Sequence, residues 1–66
     1  MKDMERLKRL LEHWAEHNIE HAKTYNEWAE RAKASGNMDL YSILNEIADM
    51  TRKMDTLFEK AKNTLK

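Results

Sequence analysis

The chain has 66 residues, of which 12 are basic and 12 are acidic, and it contains no cysteine. A chain this short buries only about 60% of the surface that its unfolded form exposes, and such chains are usually stabilised by disulfides, a bound metal or association. The lack of cysteine excludes disulfides and thiolate metal sites, and the balanced charge gives no field that would attract nucleic acid or an anionic membrane.

The first half of the chain predicts one long α-helix. Apolar residues recur every three or four positions from Met4 to Ala32, and no proline interrupts them. Asp3 is expected to cap the start of this helix, and Gly36 is expected to stop it in a left-handed conformation. We therefore predict a helix over about residues 3–34.

The second half predicts another helix after a tight turn. Asn37 is a favourable N-cap, and apolar residues continue at helical spacing from Leu40 to Leu65. We predict a turn at about residues 35–37 and a helix over about residues 38–64.

The fold class expected from these elements is all-α, an antiparallel two-helix hairpin that forms a single domain over residues 1–66. The apolar stripe of each helix is wider than a two-helix seam needs. We therefore expect a homodimer that closes into a four-helix bundle.

Heptads counted from Met4 place two consecutive polar residues, Asn18 and His21, at inward positions of the first helix. A buried polar group without a partner costs about 1–3 kcal/mol, so both side chains should be hydrogen-bonded or ligated. Asparagine at such a position often fixes helix register. The predicted inward residues are Met4, Leu7, Leu11, Trp14, Asn18, His21, Tyr25, Trp28 and Ala32.

All three histidines lie in a Glu-His ladder, the pairs Glu12-His13, Glu16-His17 and Glu20-His21. A spacing of four aligns side chains along one side of a helix, and imidazoles with carboxylates are common ligands of nickel, zinc and copper. We therefore predict a small non-enzymatic bundle protein that binds a divalent transition metal ion. The predicted ligands are His17, His21, His13, Glu20 and Glu16.

The three imidazoles are not equivalent ligands. Each step of four residues turns about 40° around the helix, so we expect His21 near the core, His17 at its rim and His13 outside. The ends of the row are about 12 Å apart, too far to share one ion. The remaining ligands must come from another helix or a second chain, and the hairpin sets Met50 and Met54 opposite His21 and His17.

Catalysis is not expected. Two His-x-x-Glu-His strings, His13 to His17 and His17 to His21, match a zinc-peptidase motif, but such enzymes need a third ligand and a substrate cleft. No apolar run is long enough for a membrane span, and the start MKDMERLKRLL lacks the uncharged stretch of a signal peptide. We expect a cytoplasmic location without membrane contact.

Two alternatives to metal binding remain open. In one, the chain is a structural or protein-interaction module whose polar layer sets register, with a further protein as its partner. In the other, protonated histidines relieve repulsion along the ladder and make the bundle pH-sensitive, which a flat stability profile between about pH 5 and 8 would refute. Metal titration of chelator-treated protein separates the first alternative from a metal site.

The string LLEHWAEHNIEHAKTYNEWA resembles a small, largely archaeal family of uncharacterised helical-hairpin domains with a Leu-x-His-Trp-x-Glu-His-Asn-x-x-His core. Members occur alone or joined to small nickel-binding modules, so the resemblance implies a link to metal. The second helix matches only in being amphipathic. The matching residues are Leu11, His13, Trp14, Glu16, His17, Asn18 and His21, continued by Tyr25, Glu27, Trp28 and Ala29.

Overall fold

The structure is a computed structural model that describes residues 2–65. Two α-helices, α1 (Lys2–Ala34) and α2 (Met38–Thr64), pack side by side as a hairpin. The Cα atoms fill a rod of 53 × 14 × 11 Å, so the helices form one layer whose two broad sides are both open. The predicted all-α hairpin is confirmed.

The start of α1 differs from the prediction. Because α1 begins at Lys2, Asp3 lies inside its first turn and does not cap it. The negative charge of Asp3 instead stabilises the helix by its position near the positive end of the helix dipole.

Within residues 2–65, neither helix combines the length and apolar character needed to cross a membrane.

The turn between the helices is closed by backbone hydrogen bonds. Gly36 has φ +87°, a left-handed conformation that a side chain would strain. The N–H groups of Gly36 and Asn37 donate to the carbonyls of Lys33 and Ala32, both at 2.9 Å, which is the Schellman pattern. Asn37 Oδ1 then accepts from the N–H of Leu40 at 3.1 Å and caps α2. The predicted stop and start signals both operate.

Small side chains form the seam, our term for the line of contact between α1 and α2. Alanine allows two helix backbones to approach closely, and longer side chains complete the seam only at half-buried positions such as Leu44 and Phe58. The buried residues are Leu11, Ala15, Asn18, Ala22, Ala29 and Ala32 of α1 and Ala48 of α2.

The inward positions predicted for α1 are partly wrong. Leu11, Asn18 and Ala32 are buried as expected, but four other predicted inward residues are exposed. At three of the four, the next residue along the chain is an alanine that occupies the seam instead. A period of 3.5 fits two neighbouring stripes equally well, and α2 packs on the one with small side chains. The exposed residues are Met4, Trp14, His21 and Trp28.

Asn18 is the polar residue of the seam. Its Nδ2 donates to the backbone carbonyl of Thr51, and among the described residues no buried side-chain nitrogen or oxygen lacks a partner. A second contact between the helices, Asn26 Nδ2 to Asn45 Oδ1 at 3.0 Å, agrees with the same alignment. Hydrogen bonding of Asn18 is confirmed, and the bond ties α1 to α2 at one register.

Candidate functional site

The two open sides of the hairpin differ in chemistry. The helices are antiparallel and both right-handed, so equivalent positions in α1 and α2 lie on the same side of the hairpin. In both helices, the residue immediately before each seam residue lies on one side of the hairpin. The residue immediately after each seam residue lies on the opposite side. A small cavity lined in part by Trp28, Arg31 and Leu40 confirms that these three share a side.

We call the first side the apolar face and the second the polar face. The apolar face comprises Leu10, Trp14, His17, His21, Thr24, Trp28 and Arg31 of α1 with Leu40, Ile43, Ile47, Met50, Met54 and Leu57 of α2. The polar face comprises Glu12, Glu16, Ile19, Lys23, Asn26, Glu30 and Lys33 of α1 with Ser42, Asn45, Asp49, Arg52, Thr56, Glu59 and Asn63 of α2.

The apolar face leaves a large area of hydrophobic side chain in water. Nine of its large side chains are each 39–65% exposed. Two of the nine are tryptophans and seven are smaller aliphatic side chains, so together they present several hundred Å² of apolar surface. The largest apolar patch on a typical monomer is about 300–600 Å², so this face has the size of an interaction surface. The nine are Leu10, Trp14, Trp28, Leu40, Ile43, Ile47, Met50, Met54 and Leu57.

The polar face is joined by contacts within the hairpin. Asn26 donates to Asn45 and accepts a hydrogen bond from Arg52 Nη2, and the same guanidinium lies 3.6 Å from a carboxylate oxygen of Asp49. Farther along, Lys33 Nζ lies 5.2 Å from the centre of the Tyr41 ring. These side chains find partners in their own chain and need no second molecule.

Near the end of α2, Glu59 of the polar face forms an ion pair with Lys62. Lys62 Nζ lies 2.9 Å from Glu59 Oε1. This hydrogen bond, with the charges of Glu59, Glu12 and Asp55, raises the pKa of Lys62 above its ordinary value of 10.5 although partial burial opposes the shift.

The Glu-His ladder is dispersed around α1. His13, His17 and His21 are all exposed, so the expected passage of this row from core to surface is wrong. The seam lies on the alanine stripe, which leaves His21 and His17 on the apolar face and turns His13 directly away from α2. The two carboxylates predicted as ligands point elsewhere, with Glu20 on the outer ridge and Glu16 on the polar face.

The imidazoles contact one another in sequence. The ring centres of His13 and His17 are 4.6 Å apart, those of His17 and His21 are 6.0 Å apart, and His21 stacks on Tyr25 at 6.1 Å. In the part of the chain that the structure covers, no three histidine or carboxylate side chains gather as a metal site. One hairpin therefore supplies a pair of neighbouring imidazoles on the apolar face and no complete coordination sphere.

The methionines opposite the ladder also belong to the apolar face. The hydrogen bonds from Asn18 to Thr51 and from Asn26 to Asn45 fix the alignment of the two helices. This alignment places Met50 near the level of His21 and Met54 near the level of His17. Both side chains are exposed in the single hairpin, so they do not fill its core.

The two tryptophans are surface residues that their spacing does not reveal. The heptad spacing of Trp14 and Trp28 predicts inward positions, but both side chains are exposed. The signal that would have found them is the alanine that follows each one, Ala15 and Ala29, since a small residue beside a large one marks where a neighbouring helix can approach.

Residues 7–65 match a family described as "Domain of unknown function (DUF8180)". An "Uncharacterized protein" of Archaeoglobus fulgidus is 33% identical over 58 residues, which cover 88% of this chain and 92% of that protein. No solved structure matches the chain. The matches agree with the expected small archaeal family, whereas the signature between Leu11 and His21 stays a prediction.

Proposed function

The chain belongs to the DUF8180 family, and we propose that its hairpin is a non-enzymatic interaction module that pairs with a second copy through the apolar face. Two hairpins would then form a four-helix bundle with the exposed stripes of all four helices inside. The observation that carries this proposal is the row of nine large apolar side chains left open along one side.

The size of the face favours a stable pair. A stable protein interface buries about 800 Å² on each partner, and the nine exposed side chains with the histidines and Thr24 between them supply much of that area. Alanine seams join the helices within a hairpin, so the large residues are available to fill the space between two hairpins. Arg31, at the turn end, is the one formally charged residue among the positions that define the face.

The pattern of the face favours a second copy over an unrelated partner. Both stripes repeat at heptad spacing over most of the hairpin, from Leu10 to Arg31 and from Leu40 to Leu57. Helices with this repeat pack against others with the same repeat, and a second copy supplies two at matching length. The surface is therefore complementary to itself.

Sedimentation equilibrium of the full chain tests the proposal, with one isoleucine changed on each face. Ile47 on the apolar face and Ile19 on the polar face are 41% and 46% exposed, so both accept glutamate without loss of the hairpin core. Wild type should sediment at twice the mass of one chain. Ile47→Glu should weaken the dimer at least about thirtyfold, equivalent to about 2 kcal/mol, because a carboxylate would enter an apolar interface.

Ile19→Glu is the matched control and should leave the dimer unchanged. Circular dichroism at the same concentrations checks that both variants remain helical. A wild type that sediments as a monomer at micromolar and higher concentration overturns the proposal, as does equal weakening by the two substitutions.

A further inference from the structure

We infer that the paired hairpins hold one divalent transition-metal ion between them, bound by His17 and His21 of both copies. This inference rests on the proposed pairing through the apolar face. The ion would be zinc, nickel or copper(II), since imidazole nitrogen suits all three.

The first support is the geometry within one chain. His17 and His21 are one helical turn apart on the same face, and their ring centres are separated by 6.0 Å. Two imidazoles bound to one tetrahedral ion, with metal–nitrogen distances of about 2.0–2.1 Å, have ring centres about 5 Å apart. The separation of 6.0 Å is about 1 Å longer than this spacing, so the two rings must move closer together to share one ion.

The second support is the position of the pair along the apolar face. The α1 part of this face runs from Leu10 to Arg31, and the two histidines occupy its middle. Trp14 and Trp28 lie seven residues to either side of His21. When the second hairpin packs antiparallel with its α1 on α1 of the first, the two-fold axis crosses the middle of the contact and the two histidine pairs meet there.

The third support is chemical. Pairing would remove four imidazoles from water and set them among methionine, isoleucine and tryptophan side chains, where unpartnered polar groups are unfavourable. A shared ion would bind one nitrogen of each ring and complete a four-coordinate sphere that one hairpin lacks. His13, Glu16 and Glu20 point away from this face and are not ligands.

The test uses the full chain without an affinity tag, stripped of metal by a chelator. Equilibrium dialysis against zinc, nickel and copper(II) salts measures the ions bound, and sedimentation equilibrium measures dimerisation with and without zinc. We expect one ion per two chains. If the dimer alone binds zinc, free zinc at about 100 times its dissociation constant should lower the dimer dissociation constant about 100-fold.

His17→Ala and His21→Ala should each abolish stoichiometric binding and the zinc effect on dimerisation. His13→Ala is the matched control, because it removes an exposed imidazole from the same row, and it should preserve both. Quenching of Trp14 and Trp28 fluorescence by copper(II) gives a second readout of the same site.

The outcomes separate this inference from the proposed function. A metal-free dimer that binds none of the three ions, or binds them equally well in all three alanine variants, overturns the metal site and leaves the pairing intact. One ion per chain on a monomer overturns the shared site and the pairing together. Binding that depends on His13 as much as on His21 also refutes the assignment.

Discussion

On the polar face of the hairpin, Asn26 links Asn45 and Arg52 in hydrogen bonds that cross from one helix to the other. On the apolar face, Arg31 Cζ lies 4.5 Å from the centre of the Trp28 ring in the same helix, and Trp28 remains 53% exposed. On the polar face the Asn26 contacts thus join the two helices of one chain, whereas the apolar face leaves its largest side chains open. This difference separates what folds the hairpin from what it offers to a partner.

Among the substitutions that test this difference between the faces, Trp28→Ala should have the largest effect, which is a weaker dimer. A buried tryptophan at an interface often contributes about 2 kcal/mol or more, so the dimer dissociation constant should rise about thirtyfold while the helix content stays the same. Lys33→Ala removes the corresponding cation–ring contact from the polar face and should change dimerisation less than about threefold. Sedimentation equilibrium measures both, and similar effects would contradict the division into two faces.

A smaller effect is expected from Asn18→Ala, which removes the seam bond to Thr51. Loss of a buried hydrogen bond should lower the free energy of unfolding by about 1–2 kcal/mol. Asn26→Ala removes a less buried amide on the polar face and should cost less than half as much, because water replaces its partners. Urea unfolding at one fixed protein concentration compares the two, and a larger loss for Asn26→Ala would show that the seam does not set the register.

The smallest effect is expected from Glu59→Gln on the polar face. Glu59 raises the pKa of Lys62, so the pair contributes stability below the ordinary pKa of 10.5 that is lost as pH rises through the raised pKa. Because Glu59 is exposed, salt also screens the attraction between the two charges. Thermal unfolding should show a slight loss for the variant near pH 7, and none in about 1 M salt or above the raised pKa. A loss that persists in high salt would mean that Glu59 acts by packing.

The helices and the turn could be predicted from the sequence because their signals are local. Gly36 and Asn37 act within a few residues of their own positions, and the apolar period runs without a break through both helices. Burial of Asn18 was also predictable, because it lies where the two possible stripes of α1 overlap. No distant contact is needed to interpret any of these signals.

The candidate site was harder to predict because it depends on which stripe α2 covers. Trp14, His21 and Trp28 share a period with the seam but stand one residue before it, so a small rotation of α1 moves them from inside to outside. The apolar spacing does not specify the rotation of α1 about its own axis. That rotation is set by the close approach of the two helix backbones at the alanines. The heptad count therefore predicts that His21 enters the core and that His17 lies at its rim, whereas both are exposed.

The alanine seam has a consequence for how the protein behaves at different concentrations. Within the described residues no large side chain is fully buried, and a buried methyl group contributes far less than the about 1.5–3 kcal/mol of a buried leucine or phenylalanine. An isolated hairpin is then only weakly stable, and pairing with a second chain adds to its stability by mass action. The midpoint of thermal unfolding should therefore rise as the protein is concentrated and fall on dilution.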